Sequence, residues 1–232
     1  MKNNKNLKNH NIYKVAAFLF AAVICATFAF AQEPQKNPEA KTITLKEPQL
    51  NKGLNLMQAL KERKSVREFS DKEIDLQTLS NLLWAANGIN RPDGKKTAPS
   101  AMNRQEIEIY VCQKDGAYYY DAEQNILMQV SKGDCRLKQA PITLVLVSNN
   151  NLPPDIPGVK DWGFIDAGIV SQNISLFASA MGLATVPQSS MPREDFTKIL
   201  KLEKGFELVL NHPIGYPKET EKKLNKVSKP LK

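Results

Sequence analysis

Three cationic side chains and one hydroxyl fall within five residues: Arg63, Lys64, Ser65 and Arg67. Guanidinium groups grip phosphate oxygens as a planar fork, an ammonium acts as a point charge, and a hydroxyl adds a short hydrogen bond. The set is therefore chemically suited to one phosphate group. Taken alone it is equally the composition of a solvated turn, because Lys and Arg are common on any surface. Further polar positions stand in two loops, Ala98-Pro-Ser-Ala-Met-Asn-Arg-Gln105 and Ala184-Thr-Val-Pro-Gln-Ser-Ser-Met191. Histidine is nearly absent: beyond the N-terminal leader only His212 remains. A Ser-His-Asp hydrolase would have to use that residue, and a zinc site of His/Cys type is poorly supplied. Redox or group-transfer chemistry in such a chain belongs to a bound cofactor.

The leader is legible from charge and hydropathy. Lys2, Lys5, Lys8 and Lys14 precede a nearly continuous apolar run from Val15 to Phe30, and Ala29-Phe30-Ala31 is a small-x-small cleavage signal. Residues 1–31 are thus expected to be a signal peptide of an exported, periplasmic protein, with an uncleaved N-terminal anchor as the alternative. The apolar run is short of the roughly 20 residues a membrane span needs, so no stable membrane insertion is expected after cleavage. Loss of the four leader lysines lowers the formal charge from +8 to +4. That charge, without aromatic-basic interleaving, gives no reason to expect a nucleic-acid partner. Cys112 and Cys135 are left, either a disulfide in an oxidising compartment or two buried thiols.

Residues 32–52, polar and punctuated by Pro34, Pro38 and Pro48, read as a tether, leaving 53–232 as the folded domain. A helix is expected over Gly53–Glu62. A second starts at Asp75 as N-cap, with Leu76, Leu79, Leu82, Leu83, Ala85 and Ala86 as its apolar stripe and Gly88 as its end. Glu106 to Gln113 alternates, with Ile107, Ile109 and Val111 on one face, and predicts a half-buried strand. A hairpin over Ala117–Tyr120 and Ile126–Val130 follows, then a central strand at Ile142–Val147. Trp162 to Met181 is apolar nearly all round and predicts a long buried helix ended by Gly182. A short helix near Pro192, a strand at Phe206–Leu210 and a basic tail from Lys218 complete an α+β class.

In this order, the segments Arg63–Arg67, Ala98–Gln105, Asp166-x-Gly168 with Asn173, Ala184–Met191 and Asn211-His-Pro-Ile-Gly-Tyr-Pro217 resemble the FMN-dependent nitroreductase family. The resemblance runs from about Gly53 to Lys223. It implies a nitroreductase-like fold, a mainly antiparallel sheet flanked by helices, assembled as a homodimer through the long helix with FMN bound at the interface. By matching position, Arg63, Lys64, Ser65 and Arg67 would hold the flavin phosphate and ribityl chain. Ser100 and Asn103 would lie at the ring edge, and Pro187 over the ring. Ser189 and Ser190 would offer N–H groups toward N5 and O4, and Lys222 and Lys223 would reach the phosphate. Asp166, Gly168 and Asn173 would be scaffold.

The implied activity needs no catalytic side chain. A small-molecule donor reduces FMN, and a small conjugated or nitroaromatic acceptor is reduced in turn through flavin N5, in ping-pong order. Outside the cytoplasm NAD(P)H is not the expected donor, which leaves the donor open. Two alternatives share the flavin: a SagB-type dehydrogenase or oxidase acting on a peptide or heterocycle, suggested by the hairpin Gly116–Val130 with Asp134-Cys135-Arg136, and a non-catalytic flavin-binding protein.

Overall fold

Seven strands form one antiparallel sheet in the computed structural model, which describes residues 41–137, 140–152 and 159–218. The leader, the tether up to Ala40, and Lys222 and Lys223 lie outside the described residues. In chain order the elements are β1 (Thr42–Thr44), α1 (Leu56–Glu62), α2 (Leu76–Asn87), β2 (Ile107–Gln113), β3 (Gly116–Asp121) and β4 (Ile126–Lys132). There follow β5 (Ile142–Asn149), α3 (Val159–Ala180), β6 (Ala184–Thr185), α4 (Arg193–Ile199) and β7 (Phe206–Gly215). Across the sheet the order is β1-β4-β3-β2-β5-β7-β6.

Helix boundaries follow their caps. Asn55 Oδ1 accepts the N–H of Gln58 at 3.0 Å, so α1 begins at Leu56 rather than at Gly53. Asp75 accepts both the N–H of Thr78 (2.9 Å) and its hydroxyl (2.8 Å), as the sequence predicts for α2. Gly88 ends that helix for a steric reason. Its φ is an ordinary −79°, but a Cβ there would sit 2.6 Å from the Trp84 Cα. At the end of α3, Gly182 turns the chain at φ +69°, a region that costs other residues a steric clash.

The core lies on both faces of the sheet. On one, Leu79, Leu82 and Leu83 of α2 and Val170, Ile174 and Ala178 of α3 cover Ile107, Ile109, Val111, Leu144 and Leu146. On the other, Phe196 of α4 with Leu200 packs on Tyr110, Cys112, Val145, Val147 and Leu208. The structure corrects three expectations here. Strand β2 is buried on both faces instead of one, since α4 and the Tyr110–Tyr119 edge contact cover its second side. Residues 41–52 are not all tether: β1 pairs with β4 over three positions, and Leu45 reaches the core. Helix α3 is not buried all round, because Phe164 and Ile165 are 48% and 62% exposed. Cys112 and Cys135 are free, buried thiols that meet in the second cluster.

Strand β7 also runs five residues beyond the expected Leu210. Asn211 and Pro213, two positions apart, direct their backbone groups to the same neighbour. Asn211 pairs there with Gln188, in the same register in which Thr185 pairs with Ile214. The donor that Pro213 lacks therefore faces Val186, beyond the two-residue β6, and costs no β5 bond.

Thr78's two donors hold the Asp75 carboxyl below the usual carboxylate range. The stabilisation is present above the unfolded-state pKa and is lost as pH falls through the lowered folded value. Asp75→Ala should cost about 1 kcal/mol at neutral pH, and less in acid. Urea midpoints compared at about pH 7 and about pH 3 check this; an equal loss at both refutes the ionised cap.

Candidate functional site

Segment 63–67 leaves α1 in extended form, and alternate side chains face opposite ways. Val66 is buried with Phe69, Ala140 and Ala184. Lys64 lines a cavity of about 240 Å³ together with Glu62, Ser175, Ser179 and Thr185. Arg63, Lys64, Ser65 and Arg67 are all exposed, and of the four only Lys64 also lines this cavity.

Backbone hydrogen bonds fix where this segment lies. Val66 N–H donates to Thr185 O at 2.9 Å, and Ser70 N–H donates to Tyr216 O at 2.8 Å. Phe69 bridges to Pro217, and Lys218 N–H donates to Glu68 O. The cationic stretch is therefore laid between β6 and the chain leaving β7. Two residues past Thr185 the exposed Pro187, Ser189 and Ser190 begin, so the expected phosphate and ring-face segments are brought together. The residues following Lys218, including Lys222 and Lys223, lie outside the described chain.

Ser100 and Asn103 lie elsewhere. Their loop is tied to the N-terminal part of α3 by Ala101 N–H donating to Asp166 Oδ2 at 2.8 Å. Asp166 and the end of α3 at Ala180 are about 20 Å apart at the helical rise of 1.5 Å per residue. Within one chain this loop is anchored about a third of the way along α3, whereas the cationic segment leaves α1 beside the C-terminal end of α3, where Ser179 Oγ donates to Ala59 O. The loop is conformationally strained: Met102, Asn103 and Gln105 all have φ between 52° and 54°, where non-glycine residues are uncommon. Ser100 Oγ holds the turn by accepting Gln105 N–H at 2.9 Å. Asn103 N–H donates to Ser100 O, and its exposed side chain accepts from Gln105 Nε2 at 3.3 Å.

Beneath that loop lies a buried ionisable group that the sequence does not single out. Glu106 is 1% exposed, and its carboxyl meets that of Asp166, with buried Arg104 alongside. Burial, then the neighbouring Asp166, push the Glu106 carboxyl up, with the Arg104 charge opposing. Asp166 and Asn173 act as scaffold, as expected: the first holds Ala101, and the second donates to Ala86 O at 3.3 Å.

His212 is fully buried between Thr185 Oγ1 at 3.2 Å from Nδ1 and Ser171 Oγ at 2.9 Å from Nε2. Desolvation pushes its pKa down to about 3, so the ring is neutral. Inaccessible, and with hydroxyls rather than a carboxylate at both nitrogens, it is a structural crosslink of β6, β7 and α3 and not a general base. Among the described residues no group of three or more His, Cys, Asp or Glu could hold a metal ion, and no helix is long and apolar enough to cross a membrane.

Comparison with known proteins bears on the family and the fold. The profile of the Nitroreductase family matches residues 60–216. A protein of Methanocaldococcus jannaschii, provisionally named a nitroreductase, is 31% identical over 182 residues, covering 70% of this chain and 91% of its own. A Methanothermobacter thermautotrophicus protein, provisionally named an NADH dehydrogenase or NAD(P)H nitroreductase, is 27% identical over 72% of this chain and 79% of its own. The crystal structure of a provisionally named nitroreductase from Ralstonia eutropha superposes with a TM-score of 0.73 at 32% identity, covering 76% of this chain and 90% of that one.

A carboxyl whose folded pKa is raised gives stability that is present below its unfolded value and is lost as pH rises through the folded one. Glu106→Gln should therefore gain on the wild type as pH rises. Urea midpoints for both proteins between about pH 5 and about pH 8 decide it: parallel curves would show that Glu106 is no more acid-dependent than a surface carboxylate.

Proposed function

The chain belongs to the nitroreductase family of oxidoreductases, and we propose that it binds FMN and passes reducing equivalents to a small conjugated or nitroaromatic acceptor. One observation carries the reading: the Val66–Thr185 hydrogen bond at 2.9 Å lays the exposed cations of 63–67 beside the donor-bearing loop 187–190. The residues present suit FMN. Arg63 and Arg67 offer guanidinium forks and Ser65 a hydroxyl to a phosphate, while the exposed Pro187 offers a flat apolar surface beside backbone N–H groups. FMN, when bound, supplies the redox chemistry at its N5 position, so the protein's task is to bind, orient and shield. The neutral, buried His212 accords with that division of labour.

Two copies of the chain complete the site in this reading. The loop of Ser100 and Asn103 is tied to α3 at Asp166, about 20 Å along the helix from the C-terminal end beside which the cationic segment lies. Large apolar side chains are exposed on both helices nearby: Leu56, Met57 and Leu60 on α1, Phe164 and Ile165 on α3. A homodimer docked on this face buries those side chains and brings ring-edge loops of one copy toward the phosphate segment of the other. Nicotinamide donors are supported by the name of the Methanothermobacter relative, whereas export, if residues 1–31 act as the expected leader, would put the work where such donors are scarce.

Purified chain incubated with FMN should turn yellow. Arg67→Ala should weaken FMN binding by roughly 10- to 100-fold, the worth of one charge-assisted hydrogen bond, without loss of fold by circular dichroism. Unchanged affinity would remove Arg67 from the site. Anaerobic bleaching of the holoprotein by NADH or NADPH supports the nitroreductase activity. Retained flavin that neither donor bleaches points instead to a dehydrogenase of peptides or heterocycles, or to a flavin carrier. In sedimentation the wild type should run as a dimer and Ile165→Glu as a monomer with poorer FMN retention; a monomeric wild type overturns the two-copy site.

A further inference from the structure

Glu106 stands just before β2, beneath the strained turn, and neither of its buried carboxyl oxygens accepts a hydrogen bond from a described residue. What that carboxyl does meet is the carboxyl of Asp166, itself 3% exposed. One turn before Asp166, Gly163 lies so near β5 that a Cβ would collide with Ser148 Oγ, opposite Ile107. Asp166 Oδ2 in turn accepts Ala101 N–H at 2.8 Å, the bond that ties the turn to a helix. The bond from Gln105 N–H to Ser100 Oγ is internal to the turn, and Gln105 Nε2 reaches only another loop, at Gly94 O. Met102, at φ 52°, is 69% exposed, so packing of its side chain does not hold the strained backbone.

Two carboxylates are both acceptors and like charges, so a buried contact between them is stable only with a proton in it. The cations that face Glu106 are Arg104 from its own turn and, more weakly, Lys96 from the loop after α2. Neither α2 nor β5 carries an ionisable side chain, and Asp161, the other acid of α3, is exposed. Burial and the facing Asp166 outweigh those cations. An accepted N–H favours the charged form of a carboxyl; Asp166 has one from Ala101 and Glu106 has none, which leaves the proton on Glu106.

Resting on the reading of residues 100–103 as a flavin-edge loop, we propose that Glu106 is a positioning residue: its carboxyl O–H donates to Asp166, which fixes Asp166 on Ala101 and so sets the Ser100–Asn103 turn for the ring. As pH rises through the raised value of Glu106, the proton leaves to solvent and two negative charges confront each other. Asp166 is then driven off Ala101, and the left-handed backbone at Met102, Asn103 and Gln105 relaxes.

The flavin-free chain tests the shared proton first. Infrared spectra of wild type minus Glu106→Gln at neutral pH should show the C=O stretch of a protonated carboxyl. A difference holding carboxylate bands alone overturns the proposal. Protection of the Ala101 amide against hydrogen exchange should fall by about tenfold as pH rises through the titration of the pair, the worth of one hydrogen bond. Glu106→Gln, whose amide donates to Asp166 but cannot ionise, should keep that protection constant. A merely structural Glu106 gives no pH dependence in the wild type, and that result refutes the role. Should the Gln variant not fold, Asp166→Asn, which retains an acceptor for Ala101 and removes the second charge, should flatten the profile likewise. In the holoprotein, FMN affinity should weaken by about tenfold over the same pH range in the wild type and stay level in the variant. Affinity that ignores the titration while Ala101 follows it overturns the link to the ring. Failure of the wild type to bind FMN refutes the flavin reading alone, because the infrared and exchange comparisons need no flavin.

Discussion

The backbone of β7 is bonded along both edges, and the candidate site depends on that. On one side it pairs with β5 from Ile142 to Asn149, and on the other with β6 and Gln188. Buried backbone groups must find partners, so the chain after α3 is laid along β7 instead of looping into solvent. Once Thr185 is fixed there, its carbonyl takes the N–H of Val66, and the cationic segment follows. The exposed cations of 63–67 and the loop 187–190 thus share a single ladder of hydrogen bonds.

Local signals in the sequence marked much of this fold. Asp75 and Gly88 bound α2, the alternation in 107–113 placed β2, and the continuous apolar run of β5 marked a central strand. The misses have physical causes. Glu108 and Tyr110 are polar by type, yet they are covered because Asn149 and the Tyr110 hydroxyl both donate to the Glu108 carboxylate. Asn211, His212 and Pro213 read as strand breakers, but Gln188 O and Ser190 O accept from the Asn211 side chain, Thr185 and Ser171 bond both ring nitrogens of His212, and Pro213 falls where its missing donor is harmless. Thr42–Thr44 is too short to announce itself against its polar, proline-rich surroundings.

For the site, residue types were legible but not their separation. The cationic run and the Pro187–Ser190 loop, far apart in sequence, were grouped by resemblance, and the Val66–Thr185 bond brings them together. Of that run only Lys64 also lines the cavity, although all four polar side chains are exposed. Nor did order along the chain reveal that the Ser100–Asn103 loop is moored to α3 well away from the helix's C-terminal end, because that mooring is one backbone N–H on one carboxylate, Asp166. Strong charges are divided accordingly. Exposed cations gather where a polyanion can reach them, and the raised carboxyl of Glu106 stays inside under a strained turn.

The two margins of the sheet carry different loads. Strand β1 lies at one margin and β6 at the other, with five strands between them, roughly 30 Å across at the usual strand spacing. A pull transmitted from upstream of Lys41 is resisted first by the bonds of Lys41 to Gln129 and Asp115 and then by the three residue pairs that join Thr42–Thr44 to β4. Peeling of that short strand would spend itself far from Thr185 and Gln188, so the domain is mechanically insulated at the margin where the chemistry would take place.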